Sequence, residues 1–431
     1  MVTNSRHPPA YSIIRSLRPY AKKIVATLYG RNRLAAALAP AANSRLVDRR
    51  YYVPSVHQDW KRGNIRPENT EREERYIQEI IRICQREQID TIFPSWDPKV
   101  YVFSKNKERF EKMGILIPVP DYEKVVTPLD KYRTVLAAQQ AGFPCPRTLV
   151  PESEAELGAI AARVGFPLII KARFTSGGGG LRLAKNDREL LESWNSVKRR
   201  HGAPMVQEYI PGKEKLNSYL LLDKRGHLKM AFCAKTHRLF LRIFRNSSAA
   251  SESSAPHPFV ERAAQLARAS GWWGSITVQA KLDPRDGRPK LMEMNPRVGH
   301  HLWLRTAVGI NEPLMQLQIA RGEEVEAIQD YRVGTMLLSP VEDLMTLGYS
   351  LIDLLSYRVR TQWLGRAPAD PLSPPMSLRE LAGSYAHTYL GKNPKVYDPF
   401  FRHFLEDPTV SILWWLVYLK QIFQATRHLG K

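Results

Sequence analysis

The segment "RPKLMEMNPRVGHHLW" (residues 288–303) joins an apolar run to closely spaced polar side chains. With the preceding "GSITVQAKLD" (residues 274–283) and the turn "DPRDGRP" (residues 283–289), it predicts a β-hairpin. Glu293, Asn295 and Arg297 occupy alternate positions, and alternate side chains of a strand point to one face. We therefore expect a carboxylate, an amide and a guanidinium group together at the end of this strand.

This pattern is typical of a metal and phosphoryl site. Mg²⁺ prefers oxygen ligands and normally bridges carboxylates to substrate phosphates. Gln279, on the first hairpin strand, adds an oxygen donor to those of Glu293 and Asn295. Arg297 offers paired N–H donors to a phosphoryl or acyl-phosphate group. The structural alternative, a buried Glu–Arg pair capped by an amide, is the commoner outcome for such a pattern in isolation.

Composition restricts the class of protein. A chain of 431 residues with 43% hydrophobic residues is long enough for about two to four packed domains. The net charge of +22 favours acidic partners, but the basic residues are dispersed, so no nucleic-acid partner is expected. Cys84, Cys145 and Cys233 are far apart, which predicts neither a disulfide framework nor a thiolate metal site and indicates a reducing compartment.

The two ends of the chain differ in pattern. Residues 1–128 alternate strands, such as "KKIVATLY" and "IDTIFPSW", with the amphipathic helix "EREERYIQEIIRICQREQ", which predicts a parallel sheet without the dinucleotide-binding glycine fingerprint. Residues 331–431 contain a Pro-rich linker and an aromatic, helical tail. We find neither a secretory signal nor an apolar run of roughly 18 residues. The tail segment "VSILWWLVYLKQIF" (residues 410–423) predicts packing against the protein first, and contact with an anionic membrane second.

Two segments that precede the hairpin have patterns typical of a nucleotide-binding site. In "IIKARFTSGGGG" (residues 169–180) the glycines let backbone amides turn toward a phosphate, and Lys171 supplies a positive charge; a flexible turn is an equally weighted alternative. In "VQEYIPG" (residues 206–212) a strand ends before a Pro-Gly turn. This segment either simply leaves a sheet or forms a hinge whose backbone reads an adenine edge, with Glu214 accepting ribose hydroxyls.

The order of "DK" (residues 130–131), "IIKA", "SGGGG", "VQEYIPGKE", "VQAKLD" and "LMEMNPR" resembles the ATP-grasp superfamily, most closely the carbamoyl-phosphate synthetase large-subunit type and related carboxylate-amine ligases. The resemblance covers about residues 2–321. It implies an α/β fold in which a Rossmann-like pre-ATP-grasp domain (residues 1–128) precedes an ATP-grasp domain of two α+β subdomains (residues 129–330). A mostly helical C-terminal extension (residues 331–431) would follow.

The same resemblance implies cofactors and residue roles. ATP and Mg²⁺, with Mn²⁺ as an alternative ion, would be the cofactors. The implied ATP contacts are Lys131, Lys171, Ser176, Gly177, Gly178, Gly179, Glu208, Tyr209, Ile210 and Glu214. Gln279, Glu293 and Asn295 would bind the metal, and Lys171, Asn295 and Arg297 would be catalytic. The implied reaction activates a small-molecule carboxylate as an acyl phosphate, which an amine or another nucleophile such as a thiol then attacks.

Some features depart from the family pattern. Gln279 stands where many members carry an acid, and "VGHHLW" (residues 298–303) replaces a serine-rich continuation, so carbamoyl phosphate synthesis is not expected. At most one of His300 and His301 should face the site, and an ordinary polar role is favoured for both. A cluster of Lys235, Arg238, Arg242 and Arg245 fits either a substrate carboxylate or a solvated face.

The second hypothesis is a non-catalytic ATP-binding or membrane-peripheral scaffold protein, motivated by Gln279 and the aromatic tail. We predict a cytoplasmic protein with peripheral contact to anionic membrane as the alternative location. The sequence predicts no particular oligomeric state.

Overall fold

The computed structural model describes residues 1–5, 8–29, 38–56, 60, 63, 65–175, 180–211, 214–239, 248–365 and 375–429, with the side chains of residues 239 and 420–429 excepted. The chain divides into two units, which are described separately. The first contains residues 1–233 and 256–331, and the second contains residues 234–255 and 332–431. Among the described residues, no helix is long and apolar enough to cross a membrane.

The secondary-structure elements have the following bounds. The strands are β1 (Val25–Leu28), β2 (Arg49–Tyr52), β3 (Thr148–Leu149), β4 (Leu168–Ala172), β5 (Leu181–Ala184), β6 (Pro204–Glu208), β7 (Lys215–Leu222), β8 (Leu228–Leu239), β9 (Ser248–Ser254), β10 (Gly274–Asp283), β11 (Arg288–Asn295), β12 (Met336–Leu338) and β13 (Lys395–Tyr397). The helices are α1 (Pro8–Leu17), α2 (Glu71–Glu87), α3 (Asp97–Lys105), α4 (Lys107–Glu111), α5 (Tyr122–Leu129), α6 (Lys131–Gln140), α7 (Leu157–Val164), α8 (Asp187–His201), α9 (Val260–Ala269), α10 (Leu302–Ala307), α11 (Glu312–Arg321), α12 (Pro340–Arg358), α13 (Leu378–Leu390), α14 (Pro399–Arg402) and α15 (Pro408–Leu429).

The N-terminal part of the first unit has parallel strand pairing. β1 pairs with β2, Val2 forms parallel bridges to Ala26 and Phe93, and Thr91 bridges Leu116. The predicted amphipathic helix is α2, which begins at a capping box between Thr70 and Glu73. Its apolar face is buried, as its amphipathic pattern predicted.

Two antiparallel sheets complete the first unit. One has the strand order β3-β6-β4-β5, and the other runs β11-β10-β7 and continues into the first half of β8. Gly180 has φ +71°, and a Cβ there would lie 2.6 Å from the Cβ of Ala172, so the turn between β4 and β5 requires glycine at this position. The predicted hairpin of β10 and β11 is confirmed.

The second unit combines helices with short strands. β12 pairs antiparallel with β9 and parallel with β13, and α12 to α15 supply the helices. The run of small residues "SAASESS" (residues 248–254), which by composition would suggest a loop, forms β9. Its alanines and serines carry little strand signal, but Ala250, Ser251 and Glu252 pair with β12, and small side chains fit the close packing there.

Candidate functional site

The β10–β11 hairpin brings the predicted metal ligands together. Gln279 lies directly opposite Glu293, and Thr277 lies opposite Asn295. The register shifts after Gln279, so that Met292 on β11 has no partner residue on β10. Such a bulge releases backbone groups from the ladder and can redirect a neighbouring side chain. The carbonyl of Met292 is therefore available to another part of the unit.

Lys171 on β4 uses that carbonyl. Its Nζ donates to the oxygen of Met292 at 2.9 Å, which joins the two sheets of the first unit. Lys131, the first residue of α6, donates from Nζ to the carbonyl of Thr175, just before the glycine segment. Both lysines are only 8% exposed. Two predicted phosphate-binding ammonium groups thus lie near the hairpin carboxylate of Glu293.

The charges of Lys131, Lys171 and Glu293 shift one another's pKa values. Burial lowers the pKa of Lys171 to about 8, against the favourable charge of Glu293. Burial likewise lowers the pKa of Lys131, although Glu293 again opposes the shift. Burial alone would raise the pKa of Glu293, but Lys131 and Lys171 outweigh it and hold that pKa below its ordinary value. Glu293 is therefore a carboxylate at neutral pH, as a metal ligand must be.

Arg297 is held by a residue that sequence reasoning missed. Its Nε donates to Oδ1 of Asp97 at 2.9 Å, and its Nη2 donates to Oδ1 of Asn295 at 3.3 Å. Asn295 in turn donates to Glu293 at 3.3 Å. The carboxylate partner of Arg297 is thus Asp97, in the first turn of α3, and not Glu293. The only sequence signal was an acid before proline at a strand-to-helix junction, which is common in any α/β protein.

Asp97, Lys131, Glu293 and Asn295 line one cleft. Arg297 bonds to two of these residues, and Lys171 bonds to Met292, next to Glu293. The lining residues of the cleft are Trp60, Asp97, Pro128, Leu129, Lys131, Thr175, Glu293, Met294, Asn295 and Pro296. The oxygens of Glu293 and Asn295, with Gln279 half-buried across the hairpin, form a hard donor set of the kind Mg²⁺ takes. The donor set fits a divalent cation that also contacts phosphate oxygens.

The predicted adenine hinge is partly committed to internal contacts. The carboxylate of Glu208 accepts from the backbone N–H of Arg147 at 3.1 Å and from Arg285 at 2.7 Å. The carbonyl of Ile210 accepts from Nζ of Lys281 at 2.6 Å, and the N–H of Tyr209 donates to Pro167. The backbone N–H of Glu208 donates to the carbonyl of Arg147 at 2.8 Å, so an adenine contact of Glu208 would come from its backbone carbonyl.

The other predicted ATP contacts are either exposed or outside the described residues. Glu214 is exposed just before β7, and its carbonyl accepts from Leu282 at 3.1 Å. Ser176, Gly177, Gly178 and Gly179 lie outside the described residues. Their roles, like those of Glu208 to Ile210, remain predictions.

The segment after Arg297 has a packing role that the sequence did not reveal. A Cβ on Gly299 would lie 2.4 Å from the ring of Tyr219, so only glycine permits this approach. The hydroxyl of Tyr219 is hydrogen-bonded to Nδ1 of His301, which is 5% exposed, whereas His300 is exposed. Burial, together with the nearby Arg305, lowers the pKa of His301 to about 3, so this imidazole is neutral.

A buried ion pair supports the same segment. Arg305 binds Glu312 through Nε at 2.5 Å, and its guanidinium lies 4.3 Å from the centroid of the Tyr219 ring. Neither member of this pair was selected from the sequence, because an arginine and a glutamate seven residues apart carry no specific pattern.

The predicted basic cluster is corrected by the structure. Arg238 is 2% exposed and donates to Asp343 within the second unit, so it forms part of neither a solvated face nor a free substrate-binding cluster. Lys235 is exposed, while Arg242 and Arg245 lie outside the described residues. Alternation along β8 explains the difference, because it turns Arg238 and Lys235 to opposite faces.

Family models match two parts of the chain. Residues 130–328 match the model described as "Carbamoyl-phosphate synthase L chain, ATP binding domain". Residues 68–118 match "PylC-like, N-terminal domain". The first match covers the cleft lysines and the β10–β11 hairpin.

Two curated carboxylases are similar to part of this chain. Biotin carboxylase 1 of Bacillus subtilis is 28% identical over 208 residues, which cover 44% of this chain and 45% of that protein. Pyruvate carboxylase of Komagataella pastoris is 25% identical over 268 residues, which cover 58% of this chain and 22% of that protein. The chain therefore spans less than half the length of these curated relatives.

Solved structures share the fold. A biotin carboxylase in complex with β,γ-ATP from Campylobacter jejuni has a TM-score of 0.61 at 19% identity and covers 78% of this chain and 74% of its own. The biotin carboxylase domain of the Hydrogenobacter thermophilus 2-oxoglutarate carboxylase, solved with MgADP, ADP and bicarbonate, has a TM-score of 0.61 at 18% identity and covers 78% and 72%. The match of residues 130–328 to this ATP-binding domain confirms the resemblance to the ATP-grasp superfamily that the order of the motifs indicated.

Proposed function

We propose that this chain is an ATP- and Mg²⁺-dependent ligase that activates a small-molecule carboxylate as an acyl phosphate for attack by an amine, or by a thiol. The observation that carries the proposal is the convergence of Lys131, Glu293, Asn295 and the Asp97–Arg297 pair at one cleft. Bicarbonate, present in the Hydrogenobacter structure, belongs among the candidate carboxylates.

The proposed reaction has two displacements. A carboxylate oxygen attacks the γ-phosphorus of ATP, the bond from that phosphorus to the β,γ-bridging oxygen breaks, and ADP leaves. The nucleophile then attacks the acyl carbon, the acyl C–O bond to the phosphoryl group breaks, and inorganic phosphate leaves as the nucleophile loses its proton. Such chemistry depends mostly on positioning and on charge neutralisation.

Different residues at the cleft have different roles in this reaction. The ammonium groups of Lys131 and Lys171 neutralise phosphate oxygens, and both are fixed by backbone carbonyls that limit their motion. The guanidinium of Arg297 stabilises negative charge on the acyl phosphate and is oriented by Asp97. Gln279, Glu293 and Asn295 would hold Mg²⁺, with Mn²⁺ as the alternative ion. When bound, the ion would polarise the transferring phosphoryl group.

The remaining assignments complete the proposal. The glycine segment with Ser176 covers the phosphates, the hinge backbone from Glu208 to Ile210 holds adenine, and Glu214 binds ribose. The organisation into residues 1–128, a Rossmann-like domain, residues 129–330, the ATP-grasp domain, and residues 331–431, a mostly helical extension, belongs to the same proposal, as does a cytoplasmic location. Parallel bridges at Val2 and the match of residues 68–118 support the N-terminal assignment.

The test is ADP release against a panel of carboxylates, including bicarbonate, with amine or thiol acceptors. We expect Glu293→Ala to abolish ADP release. Asp286→Asn, an exposed change in the turn of the same hairpin, is the matched control and should keep full activity. Full activity in Glu293→Ala, or no ATP binding by the wild type with Mg²⁺, would refute the proposal.

The variant Asp97→Asn distinguishes the positioning of Arg297 from the binding of ATP. Because Asp97 orients Arg297 and neither of the cleft lysines bonds to it, we expect a fall in kcat of roughly 10- to 100-fold with little change in ATP affinity. An equal loss of ATP affinity would instead indicate that Asp97 maintains the cleft as a whole.

A specific observation favours a second candidate, a membrane-peripheral protein. In the second unit, α12 exposes Leu344, Leu351, Ile352 and Leu355, and α15 exposes Ile412, Leu416 and Leu419. Large exposed apolar patches mark interaction surfaces, and the net charge of +22 would favour anionic lipid.

Flotation with phosphatidylserine vesicles tests this candidate. The wild type should float with the vesicles, and the double change Leu351→Glu with Leu355→Glu should stay in the bottom fraction. Leu181→Glu, an equally drastic change at an exposed leucine of the first unit, should float like the wild type. Equal recovery of all three proteins would remove the membrane role of α12.

A further inference from the structure

Three side chains of types that can ligate a metal ion meet in the second unit. None of them belongs to the proposed ATP site. His237 lies on β8, Glu252 on β9 and His387 on α13. One ligand atom from each lies within 4.8 Å of the others. Nε2 of His237 is 2.8 Å from Oε2 of Glu252, and Nε2 of His387 is 3.9 Å from the same oxygen. The three side chains therefore face a common point.

The elements that carry the two histidines are clamped by a buried arginine. Arg238 follows His237 on β8 and points to the opposite face. Its guanidinium binds Asp343 and also donates to Ser384 and Thr388, the residues of α13 on either side of His387, at 2.8 to 3.0 Å. Because Arg238 is 2% exposed, this clamp fixes β8 against α13. The spacing of the two imidazoles is thus set by the backbone.

The carboxylate is also oriented in advance. Nδ2 of Asn393 donates to Oε1 of Glu252 at 2.9 Å, which leaves Oε2 facing the histidines. A hydrogen-bond partner on the outer oxygen is the usual way in which proteins fix a ligating carboxylate. Glu252 is itself anchored on β9 opposite Met336 of β12.

We propose that His237, Glu252 and His387 form a binding site for a divalent transition-metal ion of the Zn²⁺ class. Two imidazoles and one carboxylate are a donor set that Zn²⁺ takes with an exchangeable water in the fourth position. Ligands at about 2.0–2.2 Å from a tetrahedral ion lie roughly 3.3–3.5 Å apart. The observed separations of 2.8 and 3.9 Å bracket that value, so small side-chain rotations suffice.

The geometry leaves an open coordination position. The side chain of His387 is 52% exposed, whereas those of His237 and Glu252 are 13% and 19% exposed. Solvent can therefore reach the point between the three groups from the side of α13. Mg²⁺ is not expected here, because it prefers oxygen ligands. This site is thus chemically distinct from the oxygen donor set of the β10–β11 hairpin.

Metal analysis of the full chain tests the site. Protein stripped with a chelator is dialysed against Zn²⁺ and analysed by mass spectrometry, and Co²⁺ is added in parallel as a coloured probe. We expect one Zn²⁺ per chain that is lost in Glu252→Gln and at least tenfold weaker in His387→Gln, and the visible Co²⁺ bands should change with it. His403→Gln, at another His–Glu pair of the same unit, is the matched control and should retain the ion.

The outcomes separate clearly. His387→Gln changes a half-exposed side chain, so circular dichroism should show an intact fold. No Zn²⁺ in the wild type, or the same stoichiometry and Co²⁺ spectrum in all variants, would overturn the site and leave a hydrogen-bonded His–Glu pair. The result is independent of the proposed ligase function, because neither readout requires ATP.

Discussion

Lys171 should make ATP binding sensitive to pH in a range where most lysines are fully charged. Burial lowers the pKa of Lys171 to about 8, and the ammonium form is the one that neutralises phosphate. With that pKa, the charged fraction falls from about 90% at pH 7 to about 10% at pH 9. If binding requires the charge, the affinity for ATP should fall roughly tenfold across this interval because of Lys171 alone.

The stability of the nucleotide-free protein should change in the opposite direction. The ordinary pKa of lysine is 10.5, so between pH 8 and 10.5 the unfolded chain keeps a proton at Lys171 that the folded protein has lost. The free energy of unfolding therefore rises with pH across this window as far as Lys171 is concerned. ATP binding should restore the charge and hence take up a proton above pH 8.

Isothermal titration calorimetry at pH 7, 8 and 9 measures both effects, because buffers with different ionisation enthalpies report the proton uptake. Lys171→Met should bind ATP weakly with a shallower pH dependence. Lys281 needs its own control, Lys281→Gln, since burial lowers its pKa to about 8 as well and it lies at the hinge carbonyl of Ile210. An ATP affinity that stays constant from pH 7 to 9, or a wild-type slope in Lys171→Met, would refute the role of Lys171.

Three further predictions concern stability. Gly299→Ala places a methyl group 2.4 Å from the Tyr219 ring and should lower the free energy of unfolding by about 1–3 kcal/mol in urea titrations. Asp343→Ala leaves the buried guanidinium of Arg238 without its carboxylate and should cost about 3–5 kcal/mol in the second unit, measured in the same way; a cost under 1 kcal/mol would contradict the clamp. Burial raises the pKa of Glu342 to about 8, so the folded protein holds a proton that the unfolded chain releases above its ordinary pKa of 4.5. The free energy of unfolding should therefore fall as the pH rises from 6 to 8. In thermal melts, the melting temperature of Glu342→Gln should depend less on pH than that of the wild type.

Local patterns predicted the hairpin well because its signals are local. The strand alternation and the turn at residues 283–289 are enough to define β10 and β11 as a hairpin, whereas the pairing of Gln279 with Glu293 also requires the register shift at Met292. The helix α2 follows from its capping box and apolar spacing. In contrast, β9 was missed, because its strand character comes from pairing with β12 and not from its own small residues. The paired residues Glu252 and Met336 are 84 positions apart.

The parts of the candidate site that sequence reasoning missed all depend on long-range packing. Tyr219, Arg305 and Glu312 carry no motif, and only the folded chain shows that Gly299 must be small because a tyrosine ring lies against it. The bulge at Met292 was also missed. It places the buried side chains Leu291 and Met294 three residues apart, where a regular strand would place them two apart. Yet that shift frees the carbonyl that holds Lys171.

The bond between Asp97 and Arg297 changes what the N-terminal part of the chain contributes to the site. These residues are 200 positions apart, and the resemblance alone placed every predicted catalytic group after Lys131. Arg297 is 8% exposed and uses its Nε for Asp97, so the orientation of its remaining N–H donors depends on where α3 begins. A substitution that displaces α3, even at a buried residue remote from the cleft, should therefore alter the step proposed for Arg297 before it alters the phosphate binding proposed for the two lysines. The α/β segment before the ATP-grasp domain thus acts as the support that sets the geometry of its arginine.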